Sequence, residues 1–392
     1  MKKRILIMAL SLALGMSVLA GCGNNNVEPV EAVTSSPEEE VEEVVEEEPE
    51  PEAMAAEPVE AEPEYGEELP AGKMRSYLTG EVVDEAEGMK RPFAIMINNI
   101  SDAIPQSGIS GAEIMYEAYV EGNITRMMAV FQDPAPYAKI GPVRSSRHYY
   151  IDYADDYDAN YVHFGWSYAA EHKIKQEERI TINGQFYDGS WGFFRTDDRV
   201  APHNAYVDGK DLEGIAEDAG MTVKYDEKTY PTLHFHLQDT EPEGEDAPVI
   251  HLGYLYNMPW FEYNAAEKVY YRFQYGAPHI DMENNEQLKF KNVLVLYQEM
   301  SQFNNDEKLK EMGRFGNGKG LYFSDGKVQE ITWEKPAVLV HNTYRDKDGN
   351  ELKINPGKTM IQIAPPELEI SWKAGEEFVS DAPAEEATDT ED

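Results

Sequence analysis

Pro92-Phe93-Ala94-Ile95-Met96-Ile97-Asn98 is an unbroken apolar run closed by an asparagine, and it reads as a buried strand. Residues 99–108 follow as a loop containing Pro105 and Gly108. Glu113 to Val120 then alternates in polarity, Glu121-Gly122-Asn123 supplies turn chemistry, and Ile124 to Phe131 resumes a strand pattern, which together predict a hairpin. A turn centred on Gly122-Asn123 places Tyr119 opposite Arg126, with Glu117 diagonal to it.

Working outward, Gly141-Pro142 breaks the chain before Val143-Arg144-Ser145-Ser146-Arg147-His148. Ser145 or Ser146 is expected to cap a helix running to about Ala154. Tyr161 to Trp166 reads as a strand, and Ser167 as the cap of a helix through Glu178. Asp208 opens a helix bearing Leu212, Ile215, Ala216 and Ala219 on one face, which Gly220 stops. Strands alternating with helices make residues 88–228 a mixed α/β domain. After Pro231, Thr232 to Leu237 reads as a strand. The segments Trp260–Tyr263, Val269–Gln274, Lys291–Tyr297, Gly320–Ser324, Val328–Trp333 and Thr359–Ile363 are separated by turns such as Asp325-Gly326 and Asp348-Gly349. Residues 248–366 are therefore expected to be mostly antiparallel β, and the fold class α+β.

The flanks are of another kind. Met1-Lys2-Lys3-Arg4, the apolar run Ile5–Leu19 and Leu19-Ala20-Gly21-Cys22 form the pattern of a lipoprotein signal peptide over residues 1–21. Cleavage leaves Cys22 first, carrying a thioether-linked diacylglycerol with acyl chains such as palmitate; two buried chains hold far more firmly than one. The chain is thus expected on the extracytoplasmic face of the cell membrane, anchored by lipid. Cys22 is the sole cysteine, which excludes disulfides, cysteine metal cages and a thiol nucleophile. Residues 28–70 hold 18 glutamates and no Lys, Arg or Asp, so residues 22–70 read as a disordered acidic tether with a reach of roughly 30–40 Å. Residues 376–392 read as a disordered acidic tail with eight more acids. Taking the −18 of the tether, the −8 of the tail and the +3 of the first residues out of the −40 total leaves −17 for residues 71–375. A folded part this acidic argues against nucleic acid as a partner.

Four clusters have chemistry to offer. Arg144, Ser145, Ser146 and Arg147 at an expected helix start combine free backbone N–H groups with bidentate donors, a site for carboxylate or phosphate; pairing of the arginines with Asp152 or Glu117 is the structural alternative. Trp191 to Arg199 followed by Ala201-Pro202-His203-Asn204 crowds aromatics, Arg195, Asp198, His203 and Asn204 into a stretch with little periodicity, the composition of a pocket loop or of a core plug. His163 and the pair His234 and His236 supply too few convergent ligands for zinc, and no metal or cofactor is expected. His279-Ile280-Asp281 reads as a hairpin end. Nucleophile-elbow, phosphate-loop and Ser-x-x-Lys motifs are missing.

The runs Pro105-Gln106-Ser107-Gly108, Ala112 to Glu117, Glu121 to Arg126, Ile140 to Arg147 and Ala201-Pro202-His203-Asn204 resemble the YerB-like lipoproteins of Gram-positive bacteria. Tyr271-Arg272-Phe273, His279-Ile280-Asp281, Lys291-Asn292-Val293 and Gly316 to Phe323 look like that family's C-terminal domain. The resemblance spans roughly residues 88–365; Asn123 departs from the family's usual glycine, a change the turn tolerates. It implies a two-domain envelope protein and brings no established activity.

Three functions fit these readings. The first is a binding or scaffolding lipoprotein of the envelope, with an anion pocket lined by Arg126, Arg144, Ser145, Ser146, Arg147, Arg195 and Asn204 that takes an anionic small molecule or cell-wall fragment. The second is a hydrolase or transferase acting on an envelope glycan or lipid-linked phosphate, with His203, Glu117 or Asp198 as general base. The third is a module docking an envelope protein through the tyrosine-rich β half, in a chain with 24 tyrosines.

Overall fold

The computed structural model describes residues 69–226, 231–303 and 308–375; the signal peptide, Cys22, most of the acidic tether and the tail lie outside the described residues. Phe93–Asn98 forms β1, with every side chain buried as its composition demands. Ile114–Tyr119 (β2) and Thr125–Phe131 (β3) make the expected hairpin, and β3 pairs on its far side with β1.

The hairpin register differs from the expectation by one residue. Tyr119 faces Thr125, Ala118 faces Arg126 and Glu117 faces Met127. The cause is a longer turn: Val120 N–H donates to Ile124 O at 2.8 Å around a short 3-10 turn, with Gly122 and Asn123 both in the left-handed region at φ 62° and 61°. A one-residue slip sends a side chain through the sheet. Arg126 therefore shares a face with Ala118 and Tyr116, whereas Glu117 and Tyr119 occupy the opposite face.

His148–Asp155 (α1), Asn160–His163 (β4), Tyr168–Gln176 (α2) and Ile182–Asn183 (β5) continue the chain. The expected serine cap on α1 is corrected: the helix starts at His148, Arg147 occupies the cap position and no side chain caps it. Residues 140–147 run extended past the strand ends, bridging Val207, Ile97 and Trp166 from Ile140, Val143 and Ser146. This route uses the backbone groups of Ser145 and Ser146 outside any helix. Ser167 does cap α2, its Oγ accepting from Ala170 N–H at 3.3 Å. Ser167→Ala is expected to lower stability by about 1 kcal/mol, read from the urea midpoint. The tyrosines of α1 fasten it to the sheet: Tyr153 stacks on Tyr116 at 5.2 Å, and the Tyr149 hydroxyl donates to Tyr119 O at 2.7 Å.

Phe193–Arg195 (β6) and Ala205–Val207 (β7) form a small hairpin before Leu212–Asp218 (α3), which follows a turn capped by Asp208. The expected strand at Thr232–Leu237 shrinks to His234–Phe235, beside Lys353–Ile354. Val249–Leu252 (β8), Trp260–Asn264 (β9) and Val269–Gln274 (β10) build an antiparallel second sheet. Asn292–Tyr297 (β11), Gly316–Ser324 (β12), Lys327–Lys335 (β13) and Thr359–Ala364 (β14) return to the first sheet. Its order is β13-β12-β11-β14-β2-β3-β1-β4-β5, with β14 parallel to both β11 and β2. One sheet thus runs from the first half of the chain into the second. The α1 and α2 helices cover one face; the second sheet covers the other, where Tyr254 meets Tyr119 edge-on at 4.8 Å. Strands β1, β2, β4, β5, β11 and β14 all point the same way, so their carboxyl ends share one edge.

Candidate functional site

At that edge the extended segment 140–147 crosses the ends of β1 and β4. Arg144 N–H donates to Met96 O at 2.9 Å, and Phe164 N–H donates to Arg144 O at 3.0 Å. Ser145 is thereby held where the Arg126 and Arg144 guanidinium groups approach. Arg126 Nη1 donates to Ser145 O at 2.7 Å from the start of β3, and Arg144 Nη1 approaches Ser145 Oγ at 3.4 Å. Ser145 Oγ donates to Phe164 O at 3.1 Å, and the Arg195 guanidinium lies 4.7 Å from the centre of the Phe164 ring. Arg126 and Arg144 are almost fully buried, while the Arg195 side chain is 34 % exposed.

Asn204 and His203 lie beside this group. Arg195 Nη1 donates to Asn204 Oδ1 at 3.0 Å, and Asn204 Nδ2 donates to Thr196 O at 2.9 Å. His203 Nδ1 is 2.9 Å from Asn98 Nδ2; an amide there donates, so the ring accepts at Nδ1. Below them, His163 is sealed in the sheet between Gly165 O at 2.7 Å and the Thr181 hydroxyl at 3.0 Å. Burial holds it down at about pKa 4 against the pull of the Gly165 carbonyl, so it is a neutral support for the loop.

Of the remaining expected residues, Arg147 also reaches this segment, its Nη1 donating to Ser146 O at 2.9 Å and lying 3.4 Å from Ser145 O. Its Nε and Nη2 make a bidentate pair with Glu121 in the β2–β3 loop at 2.6 Å for both bonds, so Glu121 takes the place of the expected Asp152 or Glu117. Ser146 Oγ accepts from the Tyr161 hydroxyl at 3.0 Å. Asp198 is exposed; its carboxyl is held below the usual range first by a hydrogen bond from Thr196. Glu117 is behind the sheet. The three base candidates, His203, Glu117 and Asp198, therefore occupy three separate environments. Among the described residues, no three His, Cys, Asp or Glu side chains come together as metal ligands.

Glu117 anchors a second, fully buried polar cluster. Its carboxylate accepts from Arg272 Nη2 at 2.7 Å, Asn257 Nδ2 at 2.6 Å, Gln362 Nε2 at 3.0 Å, Thr125 Oγ1 at 2.7 Å and Asn99 Nδ2 at 2.9 Å. Arg272 also donates to His279 Nδ1, leaving Nε2 to donate to Gln106 Oε1 at 2.7 Å. Burial and the Arg272 charge hold His279 far below its ordinary pKa. Asp281 accepts from the N–H groups of Gly108 at 2.9 Å and Ser110 at 2.7 Å. His279-Ile280-Asp281 is more than a hairpin end: it clamps the Pro105-Gln106-Ser107-Gly108 loop. Charged residues spaced by two within an aromatic β run were the available sequence signal. Asn98 and Phe164 gave none, because strand ends bring them in.

The chain matches the profile of the N-terminal domain of a protein of unknown function, DUF3048, over residues 78–222, and that of its C-terminal domain over residues 250–361. YerB of Bacillus subtilis (strain 168) is 33 % identical over 298 residues, covering 75 % of this chain and 87 % of the relative. The crystal structure of YerB from Bacillus subtilis superposes with a TM-score of 0.68 at 31 % identity, over 76 % of this chain and 100 % of that one. Gln106, Glu117, Thr125, Arg272, His279 and Asp281 of the buried cluster lie in runs on which the resemblance rested, and the chain belongs to the YerB-like family, whose two domains carry the description of unknown function.

Proposed function

We propose that this protein is a lipid-anchored binding protein of the extracytoplasmic membrane face, and that it takes an anion at Ser145. The observation that carries the reading is the approach of Arg126, Arg144 and Arg195 to Ser145 and Phe164 in a protein that is otherwise strongly acidic. Guanidinium groups on Ser145 and on the neighbouring Phe164, at the carboxyl edge of parallel strands, favour carboxylate or phosphate. The anchor at Cys22 is supported by the sequence pattern and by the word lipoprotein in the name of the Bacillus subtilis relative. Binding suits the site better than turnover, because Glu117 is sealed behind the sheet and Asp198 stands apart.

Calorimetric titration of the chain from Cys22 onward, carrying Cys22→Ser, with inorganic phosphate tests this reading. Arg144→Ala and Arg195→Ala are each expected to weaken binding by about ten- to hundredfold, the range of a lost charge-assisted hydrogen bond. Equal affinity in all three proteins would remove the anion site. A second reading draws on the β half. Grooves of about 480 and 420 Å³ flank Trp333, one lined by Tyr297, Phe315 and Pro366, the other by Thr343 and Arg345. Aromatic and arginine lining of this kind suits docking of another envelope protein.

A further inference from the structure

The turn that follows β13 holds apolar side chains out in water. Pro336, Ala337, Val338, Leu339 and Val340 are all exposed, the last three by 39, 66 and 44 %. Single exposed apolar residues are ordinary, but five in succession on a surface turn are not. No Asp, Glu, Lys or Arg lies between Lys335 and Arg345, in a chain where 28 % of residues are charged. The turn is also fixed from below. Lys335 and Asn342 at its two ends are buried; Lys335 Nζ pairs with Asp156 at 2.5 Å and donates to Val340 O at 3.0 Å. Asn342 N–H donates to Asp156 Oδ1 at 3.0 Å, and Val340 N–H closes the turn on Ala337 O at 3.3 Å. Leu339 takes a left-handed φ of 62°, a strained state for a bulky residue, and it is the most exposed of the five for which a figure is given above.

The anchor proposed at Cys22 decides which surface is at hand to cover these side chains. Residues 23–68 separate Cys22 from Leu69, the first described residue, so the folded part stays within tether reach of the bilayer. The chain enters the folded part close to this turn: Gly80 packs directly on Phe235, and the nearby Thr232 hydroxyl donates to the carbonyl of Asp156, the residue that holds the turn. Protein interfaces draw most of their energy from Trp, Tyr and Arg, with Leu and Val under-represented, and residues 336–340 include none of the first three. A folded part with a net charge of −17 gains nothing electrostatic at a membrane surface, which leaves apolar insertion as the means of contact. We infer that residues 336–340 form a membrane-contact loop, with Val338 and Leu339 entering the acyl boundary of the bilayer that holds the lipid on Cys22. The lipid then anchors the molecule and the loop orients it. This inference shares only the anchor with the function proposed above and is independent of the anion site.

The test uses the chain from Cys22 onward with Cys22→Ser and an amino-terminal hexahistidine, held on phosphatidylcholine vesicles by a nickel-chelating lipid. Leu339→Cys supplies the one thiol, labelled with nitrobenzoxadiazole; Ala265→Cys, at an exposed position of the second sheet, is the control. The label at position 339 is expected to brighten, shift to the blue and be quenched by spin-labelled lipid, while the label at position 265 stays as in water. Without the nickel lipid, adding Val338→Asp to the labelled protein should lower vesicle partitioning by about tenfold or more, the scale of one buried valine. Val338 is exposed, so the thermal midpoint, measured alongside, should not move. A label at position 339 that stays as in water on vesicle-bound protein overturns the inference and leaves the turn to a protein partner. Partitioning indifferent to Val338→Asp overturns it too. A shift that appears without lipid as protein concentration rises also does so, in favour of a second copy. Phosphate titration of Val338→Asp should match the parent, so none of these outcomes bears on the anion site.

Discussion

Arg272→Met is expected to lower the unfolding free energy by about 3–5 kcal/mol, the cost of stranding a buried carboxylate without its counter-charge. Both partners of the Glu117–Arg272 pair are 0 % exposed, so water cannot enter to replace the guanidinium. The loss also removes the donor to His279 and thereby loosens its hold on Gln106. Asn257, Gln362, Thr125 and Asn99 would still donate to Glu117, which keeps the effect within that range. The double variant Glu117→Gln with Arg272→Met should recover at least about 2 kcal/mol relative to the sum of the single losses, because no net charge is then buried. Urea unfolding at constant m reads both numbers. A single-variant loss below about 1 kcal/mol would show that the amide donors alone satisfy Glu117 and that the ion pair adds nothing.

The second large effect is a pH dependence concealed by two groups of opposite sign. His163 has a folded pKa of about 4 against an ordinary 6.5, because burial disfavours its charged form. Its stabilising contribution is complete above pH 6.5 and is lost as pH falls toward 4. Glu113 is raised to about 7 from 4.5, burial outweighing its acceptance from the Gln132 N–H and the nearby Lys358 charge. Its contribution is complete below pH 4.5 and is lost as pH rises toward 7. Over pH 4.5 to 6.5 the two slopes oppose each other, each worth about 2–3 kcal/mol across the window. Glu113→Gln keeps the acceptor for Gln132 and removes one slope. Relative to the parent, it should therefore gain about 2–3 kcal/mol between pH 4.5 and 6.5, and His163→Asn should show the opposite trend. Difference curves that stay flat for both variants would refute the assignment.

The hairpin was legible in the sequence because alternation and turn chemistry are local signals, and Glu113 to Phe131 carries both. Its register was not. The positive φ of both Gly122 and Asn123 lengthens the turn by one residue, which alone decides that Arg126 meets Ser145 while Glu117 meets Arg272. The arginine–serine cluster was visible because Arg144 and Ser145 adjoin. A helix start was inferred from the serines, but extended pairing of residues 140–147 with Ile97 and Val207 uses the same backbone groups. The partner of Arg147, Glu121, was hidden among many acids. The buried cluster joins residues as distant in sequence as Asn99 and Gln362, and no local pattern announces such a meeting.

The position of β14 has a bearing on how the chain is made. Thr359–Ala364 lies between β2 and β11 in the middle of the sheet, yet it is translated about 240 residues after β2 ends. Until it arrives, Ile114–Tyr119 offers an apolar, unpaired backbone edge to any neighbouring chain. Premature termination anywhere before Thr359 would leave the edge open permanently. Quality control of this molecule is therefore decided at its last core strand, and aggregation of truncated products is the hazard its topology carries.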